Sequence, residues 1–318
     1  MTDPLSGLVP IHLEVDQGTV HLVQIGATRF TAPFYDELVA SIAAQQGSVT
    51  LDVADLHRLL DPPPPPLGLV FHVGRCGSTL VQRMLAQDPG VLALGEPLTT
   101  AVVDVGGQGG SPAWPDVVSV FALLEHLALA RGQRSVIRHV PLQAIVLAAW
   151  EQSLPDVPKV FLWRDPVEVV GSNCADQPRW WTNDQLRRQV CALIDEADGS
   201  GEDPVAVHAR LWDATVRGAL DAGPDLLVVD HADLMGHPAA VIERIADHLG
   251  LHLDPERAGR ERRYYAKSHS RNERFDPEGR HRRDPLDPAD ADLVRSITDQ
   301  RLARISERTW RPDPGGLR

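Results

Sequence analysis

The sequence lacks the features that mark secreted, membrane and nucleic-acid-binding proteins. Its three cysteines, Cys76, Cys174 and Cys191, have unrelated spacings, which predicts neither a disulfide framework nor a metal site. No apolar run reaches the roughly 18 residues of a membrane-spanning helix. The formal net charge of −13 argues against general binding to nucleic acid. The first residues are neither basic nor apolar, so we expect no signal peptide. These absences predict a cytoplasmic protein in a reducing compartment.

What the chain does contain is an alternation of apolar strands and helical stretches, within 318 residues that can bury a sizeable core. Strands are predicted near 67–73, 91–94, 135–138, 158–163 and 226–229. Helices are predicted near 79–88, 141–153, 166–176, 205–221 and 237–250. This alternation predicts an α/β fold whose central parallel sheet is covered by helices on both faces.

The first sixty residues have a different pattern. Short β-like runs at 11–15 and 19–25 predict a hairpin. Residues 33–46 predict an amphipathic helix with Phe34, Leu38 and Ile42 on one face. The expected domains are an N-terminal extension at 1–61, a stiff proline linker at 62–66 and a main domain at 67–318.

Residues 70–80, Val-Phe-His-Val-Gly-Arg-Cys-Gly-Ser-Thr-Leu, are the most informative stretch. An apolar strand gives way to a glycine loop and then to a helix. In this layout, backbone N–H groups and the positive end of a helix enclose a phosphate. The candidate phosphate-binding residues are Gly74, Arg75, Cys76, Gly77, Ser78, Thr79 and Leu80.

The loop differs from that of nucleotide triphosphatases. Their pattern ends in Gly-Lys-Ser/Thr, whereas Gly77 is followed directly by Ser78. A kinase of the phosphate-loop class therefore remains only as an alternative.

A second segment, residues 158–172, also runs from an apolar strand into a helix. Arg164 lies at the carboxyl end of the strand, and Ser172 follows two helical turns later. A guanidinium matches the geometry of phosphate oxygens, so this pair can bind a second phosphate. Two such sites on neighbouring strands predict a nucleoside ligand with a phosphate at each end.

Together the two segments resemble the sulfotransferases that use 3′-phosphoadenosine 5′-phosphosulfate (PAPS). The resemblance implies a phosphate-loop-like nucleotide-binding fold of the sulfotransferase type. It also implies that the glycine loop holds the 5′-phosphosulfate, and that Arg164 and Ser172 hold the 3′-phosphate. The expected activity is transfer of a sulfuryl group to a hydroxyl or amine of a small-molecule acceptor, in specialised metabolism. We expect no metal, since cations and N–H groups meet the charge of the donor, and the composition predicts no nucleic-acid or membrane partner. The expected oligomeric state is a monomer or homodimer.

The resemblance also suggests catalytic residues. Arg75 occupies the place of a catalytic Lys in many members. Glu96 lies 21 positions after Arg75, as does the glutamate base of the tyrosine-protein sulfotransferases. His139, in His139-Val140-Pro141, resembles the His-x-Pro base of cytosolic members. We favour Glu96 as the base and keep His139 second; Arg138 is an alternative functional residue at that position.

Residues 256–283 hold nine Arg and one Lys against five acids. There the stretch around Lys267 resembles the loop that brings a cation to the 3′-phosphate in bacterial members. Residues 104–115 are predicted to be a loop, either a lid or plain surface. Trp180 and Trp181 could line the acceptor site, whereas His208 and Trp212 are expected to have no chemical role.

Two further alternatives stay open. The chain could be a non-catalytic nucleotide-binding module that keeps the phosphate sites and has lost transfer. Sulfation could also activate an alcohol for elimination, so that no stable sulfate ester is released.

Overall fold

The computed structural model describes residues 3–26, 28, 30, 34–98, 114–194, 203–254 and 286–312. Their strands are β1 (Leu8–Glu14), β2 (Thr19–Gln24), β3 (Val49–Asp52), β4 (Gly68–His72), β5 (Val91–Gly95), β6 (Arg134–Arg138), β7 (Lys159–Trp163) and β8 (Leu227–Asp230). Their α-helices are α1 (Tyr35–Gln46), α2 (Val53–Leu59), α3 (Ser78–Leu85), α4 (Trp114–Ala130), α5 (Leu147–Ser153), α6 (Pro166–Ala175), α7 (Arg179–Thr182), α8 (Asp184–Leu193), α9 (Pro204–Asp221), α10 (His231–Gly236), α11 (Pro238–His248) and α12 (Pro288–Arg308). Val15–Gln17 and Pro141–Ala144 form 3₁₀ turns.

The central sheet has five parallel strands in the order β5-β6-β4-β7-β8. Every residue of β4, β5, β7 and β8 is buried. Because successive side chains of a strand point to opposite faces, this burial means that both faces are covered. The prediction of an α/β fold with a central parallel sheet is confirmed, and the five predicted strands lie within one or two residues of the observed ones.

The strand order sets where a ligand can bind. From β4 the chain passes to β5 and β6 on one side of the sheet, and then to β7 and β8 on the other. The connections after β4 and β7 therefore leave in opposite directions. In open α/β sheets, the carboxyl ends of strands at such a reversal border the ligand crevice.

The N-terminal hairpin is confirmed, since β1 and β2 pair antiparallel and β3 adds a third strand. The predicted face of α1 is correct only in part. Ile42 packs against the core as predicted, but the fully buried residues are Tyr35 and Val39 rather than Phe34 and Leu38. The reason is a tertiary contact: the Tyr35 hydroxyl donates a 2.6 Å hydrogen bond to the carbonyl of Pro10 in β1. Side chains of this sheet join the same hydrophobic core as the central sheet, and the predicted domain boundaries stay a prediction.

Helix α4 was not predicted. It is apolar on nearly all sides and almost entirely buried, so it lacks the polar face that reveals a helix in a sequence. Its buried carboxylate, Glu125, accepts 2.6 Å hydrogen bonds from the N–H and the hydroxyl of Ser135. This contact ties α4 to the amino-terminal half of β6.

Candidate active site

The glycine loop joins β4 to α3. Gly74, Arg75 and Gly77 have φ angles of 80°, 51° and 85°, in the left-handed region that favours glycine. Ser78 and Thr79 are buried and begin α3. The first N–H groups of a helix have no partner inside it. The observed loop therefore has the strand, turn and helix start that an anion site requires.

Helix α10 packs closely against the loop at Gly77. A Cβ on Gly77 would lie 2.9 Å from Cδ2 of Leu234 and 3.3 Å from Nδ1 of His231, both on α10. The Nδ1 of His231 lies 3.1 Å from the carbonyl oxygen of Cys76. A larger residue at Gly77 would therefore have to displace these side chains, in addition to adopting the positive φ.

Cys76 contributes backbone rather than thiol chemistry. Its side chain is fully buried, and burial raises the pKa of the thiol to about 11. A neutral, buried thiol is a poor nucleophile. Its N–H group is what remains available for the predicted phosphate contact.

His72, the last residue of β4, is a site residue that the sequence analysis missed. The N–H of Gly74 donates a 2.9 Å hydrogen bond to Nδ1 of His72. When the ring is neutral, this bond requires the proton to be on Nε2. That nitrogen lies 3.7 Å from Oε1 of Glu96. The same nitrogen lies 3.4 Å from Nη1 of Arg138, so this side chain lies between the glycine loop and the residues Glu96 and Arg138.

Glu96 and Arg138 follow neighbouring strand ends and form an ion pair, with Nη1 of Arg138 donating to Oε1 of Glu96. Nε of Arg138 donates a 2.9 Å hydrogen bond to Gln82 on α3. The side chain of Arg138 is 2% exposed and that of Glu96 is 21% exposed. The carboxylate therefore lies on the solvent side of the pair, with the guanidinium buried behind it.

His139 lies elsewhere. Its ring centroid is 4.8 Å from that of Phe71 and 4.5 Å from that of Trp150. Burial lowers its pKa from 6.5 to about 3. Side chains of adjacent strand residues point to opposite faces, so Arg138 faces Glu96 while His139 faces the aromatic core. The structure brings together Glu96, Arg138 and His72, and leaves His139 outside this group.

Arg164, at the end of β7, contacts the glycine loop directly. Its Nη1 donates a 3.0 Å hydrogen bond to the carbonyl of Arg75, and its Nε donates a 2.5 Å bond to Glu168 on α6. Ser172 lies one turn beyond Glu168 on the same face of that helix. The two predicted phosphate sites are therefore adjacent in space.

The side chain of Arg75 extends to the end of α6. Its Nε donates a 3.0 Å hydrogen bond to Asn173, and its Nη1 lies 2.9 Å from a carboxylate oxygen of Asp176. The sequence analysis did not identify Asn173 or Asp176. Their only sequence signal is that they lie within about a helical turn of Ser172.

An aromatic cluster borders Arg75. The ring of His208, on α9, lies 5.1 Å from that of Trp180 and 5.3 Å from that of Trp181. Burial, with a smaller contribution from the charge of Arg75, lowers the pKa of His208 to about 4. One turn later the indole N–H of Trp212 donates a 3.0 Å bond to the carbonyl of Arg164. This face of α9 thus supports the end of β7.

Other predicted features fall outside this description. Lys267 and residues 104–113 of the predicted loop lie outside the described residues, while Trp114 and Pro115 begin α4. Within the described ranges, no three or more His, Cys, Asp or Glu side chains are grouped so that they could hold a metal ion. No helix in this part of the chain is long and apolar enough to cross a membrane.

No family model matches the chain, and no curated protein matches it. A sulfotransferase domain from the curacin biosynthetic pathway is 16% identical with a TM-score of 0.48, over 78% of this chain and 99% of that one. A sulfotransferase from Alicyclobacillus acidocaldarius is 15% identical with a TM-score of 0.49, over 80% and 100%. One from Mycobacterium avium is 15% identical with a TM-score of 0.46, over 78% and 81%. These three solved structures are sulfotransferases, the family that the two sequence segments resemble.

Proposed function

We propose that this protein is a sulfotransferase that moves a sulfuryl group from PAPS to a hydroxyl or amine of a small-molecule acceptor. The observation that carries the proposal is the 3.0 Å hydrogen bond from Arg164 to the carbonyl of Arg75. This contact joins the glycine loop to the Arg164–Ser172 segment at the reversal between β4 and β7. A nucleotide with phosphates on both its 5′ and 3′ positions would contact both of these neighbouring segments.

The residues present fit such a donor. The loop from Arg75 to Thr79 offers backbone N–H groups and two hydroxyls to the 5′-phosphosulfate. Arg164 and Ser172 are assigned to the 3′-phosphate, and Lys267 stays a predicted further contact. Glu168 and Asp176 form ion pairs with Arg164 and Arg75. A polyanionic donor competes with these half-exposed carboxylates for the same guanidinium groups.

The donor supplies an activated sulfuryl group with a phosphate as leaving group. The acceptor atom forms a bond to sulfur while the bond from sulfur to the phosphate oxygen breaks. Glu96 takes the proton that the acceptor loses. Arg75 and the loop N–H groups stabilise the negative charge that accumulates on the leaving phosphate.

Glu96 is assigned as the base over His139 for two reasons. Its carboxylate is partly exposed at a strand end beside the glycine loop. His139 is enclosed by aromatic rings, and its pKa of about 3 keeps it a weak base. The roles of Arg138 and His72 are then to orient the carboxylate.

Calorimetry with 3′-phosphoadenosine 5′-phosphate (PAP) and with adenosine 5′-phosphate tests the donor assignment. We expect PAP to bind more tightly, and Arg164→Ala to weaken PAP binding by about 1.5–3 kcal/mol, the size of a charge-assisted hydrogen bond. Arg295→Ala removes a surface ion pair on α12 and serves as the matched control. Equal affinity for the two nucleotides would refute the proposal.

A mass-spectrometric screen of acceptors with isotopically labelled PAPS tests transfer itself. A labelled product supports the sulfotransferase, and a dehydrated product indicates elimination after sulfation. PAP binding without turnover of any acceptor in the screen favours the non-catalytic alternative. Magnesium-dependent phosphate release from ATP would favour the kinase.

A further inference from the structure

The turn after β5, which carries the predicted base, has an unusual backbone. Glu96 and Leu98 have φ angles of 54° and 58°, and they are two of the three non-glycine residues with positive φ in the described part of the chain. This region is sterically costly for residues with a Cβ. Such residues persist at functional sites when the surrounding structure over-determines them. Some other part of the molecule must therefore hold this turn.

The N-terminal extension supplies the support. The N–H of Leu98 donates a 3.0 Å hydrogen bond to Oδ1 of Asp36, the second residue of α1. Helix α1 is itself fixed by the 2.6 Å bond from the Tyr35 hydroxyl to Pro10 in β1. The side chain of Leu98 is 2% exposed. A continuous set of contacts therefore runs from the N-terminal sheet through α1 to the turn at Glu96.

The extension also reaches the partner of Glu96. The guanidinium carbon of Arg138 lies 5.6 Å from the ring centroid of Phe34, the residue before α1. At this distance an aromatic face attracts a cation. Phe34 thus covers a charged group that is already 2% exposed and limits the access of water to the ion pair. Residues 34–36 therefore contact Arg138 directly, through Phe34, and the turn that carries Glu96, through the bond from Leu98 to Asp36.

We propose that the N-terminal extension completes the active site, with Asp36 and Phe34 as positioning residues for Glu96. Asp36 holds the backbone turn from which the carboxylate projects. Phe34 shields the guanidinium that orients the carboxylate. This inference rests on the proposed function, because it assigns these residues a role in proton transfer. It concerns the N-terminal extension, which lies outside both predicted phosphate-binding segments.

The test compares Asp36→Ala with Asp36→Asn, which keeps a side-chain oxygen able to accept from Leu98. PAP affinity is measured by calorimetry, and turnover is measured at saturating PAPS with an acceptor that the native protein sulfates. We expect Asp36→Ala to lower turnover by about ten- to a hundredfold, since small misplacements of catalytic groups have effects of this size. PAP affinity is expected to stay within about twofold, because Asp36 bonds to the turn after β5 and not to the glycine loop. Asp36→Asn is expected to recover most of the turnover.

Phe34→Ala is measured in parallel, and we expect a smaller loss of turnover with native PAP affinity. Asp55→Ala is the control, since Asp55 forms a surface ion pair with Arg58 on α2. Native turnover in Asp36→Ala overturns the proposal. It is also overturned if PAP affinity and turnover fall together, or if Asp36→Asn is as impaired as Asp36→Ala.

Failure of the proposed function is recognised separately, as absence of PAP binding or transfer by the native protein. Hydrogen exchange of the peptide containing residues 91–98 then still decides whether α1 holds the turn. Faster exchange in Asp36→Ala than in the native protein and in Asp55→Ala supports the contact. Unchanged exchange overturns it, whatever the ligand.

Discussion

At the residue scale, the candidate site depends on which side chains three neighbouring strand ends bring together. Glu96 follows β5, Arg138 ends β6 and His72 ends β4, and these strands are adjacent in the sheet. The ion pair between Glu96 and Arg138 orients one carboxylate oxygen. The bond between His72 and Gly74 connects this group to the glycine loop. The predicted base and the predicted phosphate site thus share a structural support.

Glu96→Gln should abolish most transfer while leaving PAP binding intact. The amide keeps the shape of the carboxylate but cannot take a proton, and general bases contribute about 10²–10⁴-fold to rates. His139→Phe is the matched comparison, because it preserves an aromatic ring in the core. We expect it to keep most of the turnover number at saturating PAPS. If Glu96→Gln is unimpaired and His139→Phe inactive, the assignment of the base is reversed.

His72→Asn and His72→Gln should separate the contact at Nδ1 of this ring from the contacts at Nε2. The side-chain oxygen of Asn can take the place of Nδ1 and accept from Gly74, so we expect native PAP affinity with reduced turnover. Gln can place its amide near the position of Nε2 and loses the Gly74 contact, so we expect PAP affinity to fall more. Calorimetry and turnover at saturating PAPS measure the two effects.

The control for this pair is His248→Asn. His248 bonds to the carbonyl of Lys159 at the amino end of β7, whereas the candidate site lies at the carboxyl ends of the strands. This variant should leave PAP affinity and the turnover number at saturating PAPS unchanged. Identical losses in the two His72 variants would show that the ring only stabilises the fold.

At the element scale, α9 approaches the 3₁₀ turn after β6 without an intervening side chain. A Cβ on Gly218 would overlap the carbonyl oxygen of Ala144. The same helix bonds through Trp212 to the carbonyl of Arg164 at the end of β7. The close approach at Gly218 therefore helps to set how the helix lies against the strand ends of the site.

Gly218→Ala should destabilise the protein, although Ala is the better helix former. The overlap with backbone atoms requires a shift of one element, and overpacking of this kind costs about 1–3 kcal/mol. Gly236→Ala is the matched control, because a Cβ at Gly236 would meet nothing within 4 Å and its φ is not positive. We expect it to be neutral or stabilising by about 0.4–1 kcal/mol. Urea unfolding measures both, and a neutral Gly218→Ala would contradict the observed packing.

At the scale of the whole molecule, two buried histidines should make stability depend on pH. Burial lowers the pKa of His139 from 6.5 to about 3 and that of His208 from 6.5 to about 4. The unfolded chain therefore binds protons at a pH where the folded protein does not. The stabilisation that comes from keeping these two histidines neutral is fully present above about pH 6.5. It is lost progressively as the pH falls towards the pKa values of the folded protein.

His139→Phe should flatten the acid side of this profile. In the window from pH 6.5 down to about pH 3, each such histidine contributes a slope of about 1.4 kcal/mol per pH unit. Free energies of unfolding from urea titrations between pH 7 and pH 4 measure the slope. Carboxylates contribute equally to the free energy of unfolding of both proteins. Subtracting the native profile from that of the variant therefore leaves the contribution of His139. Parallel profiles would show that His139 is protonated in the folded protein.

Much of the central fold was predictable because its signals are local. Each core strand is a short apolar run, and each phosphate segment pairs a strand with a helix start. Helix α4 was missed because it is buried on nearly all sides, which removes the periodicity of an amphipathic helix. Tyr35 was missed on the buried face of α1 because a hydrogen bond to β1 fixes its side chain there. Contacts between segments that are distant in the sequence cannot be predicted from the pattern of residues within one segment.

The sequence by itself determined the α/β class, the five parallel strands and the two strand-turn-helix segments that we predict to bind phosphate, because strand period, glycine positions and helix starts are local properties. Only the tertiary structure decided the strand order, which places β6 between β5 and β4 and so pairs Glu96 with Arg138. It also decided that His139 packs in an aromatic core and that Asp36 reaches the turn at Glu96. The physical reason is that these pairings join residues 42 to 68 positions apart, and their contacts form only when the sheet and the N-terminal unit share one core.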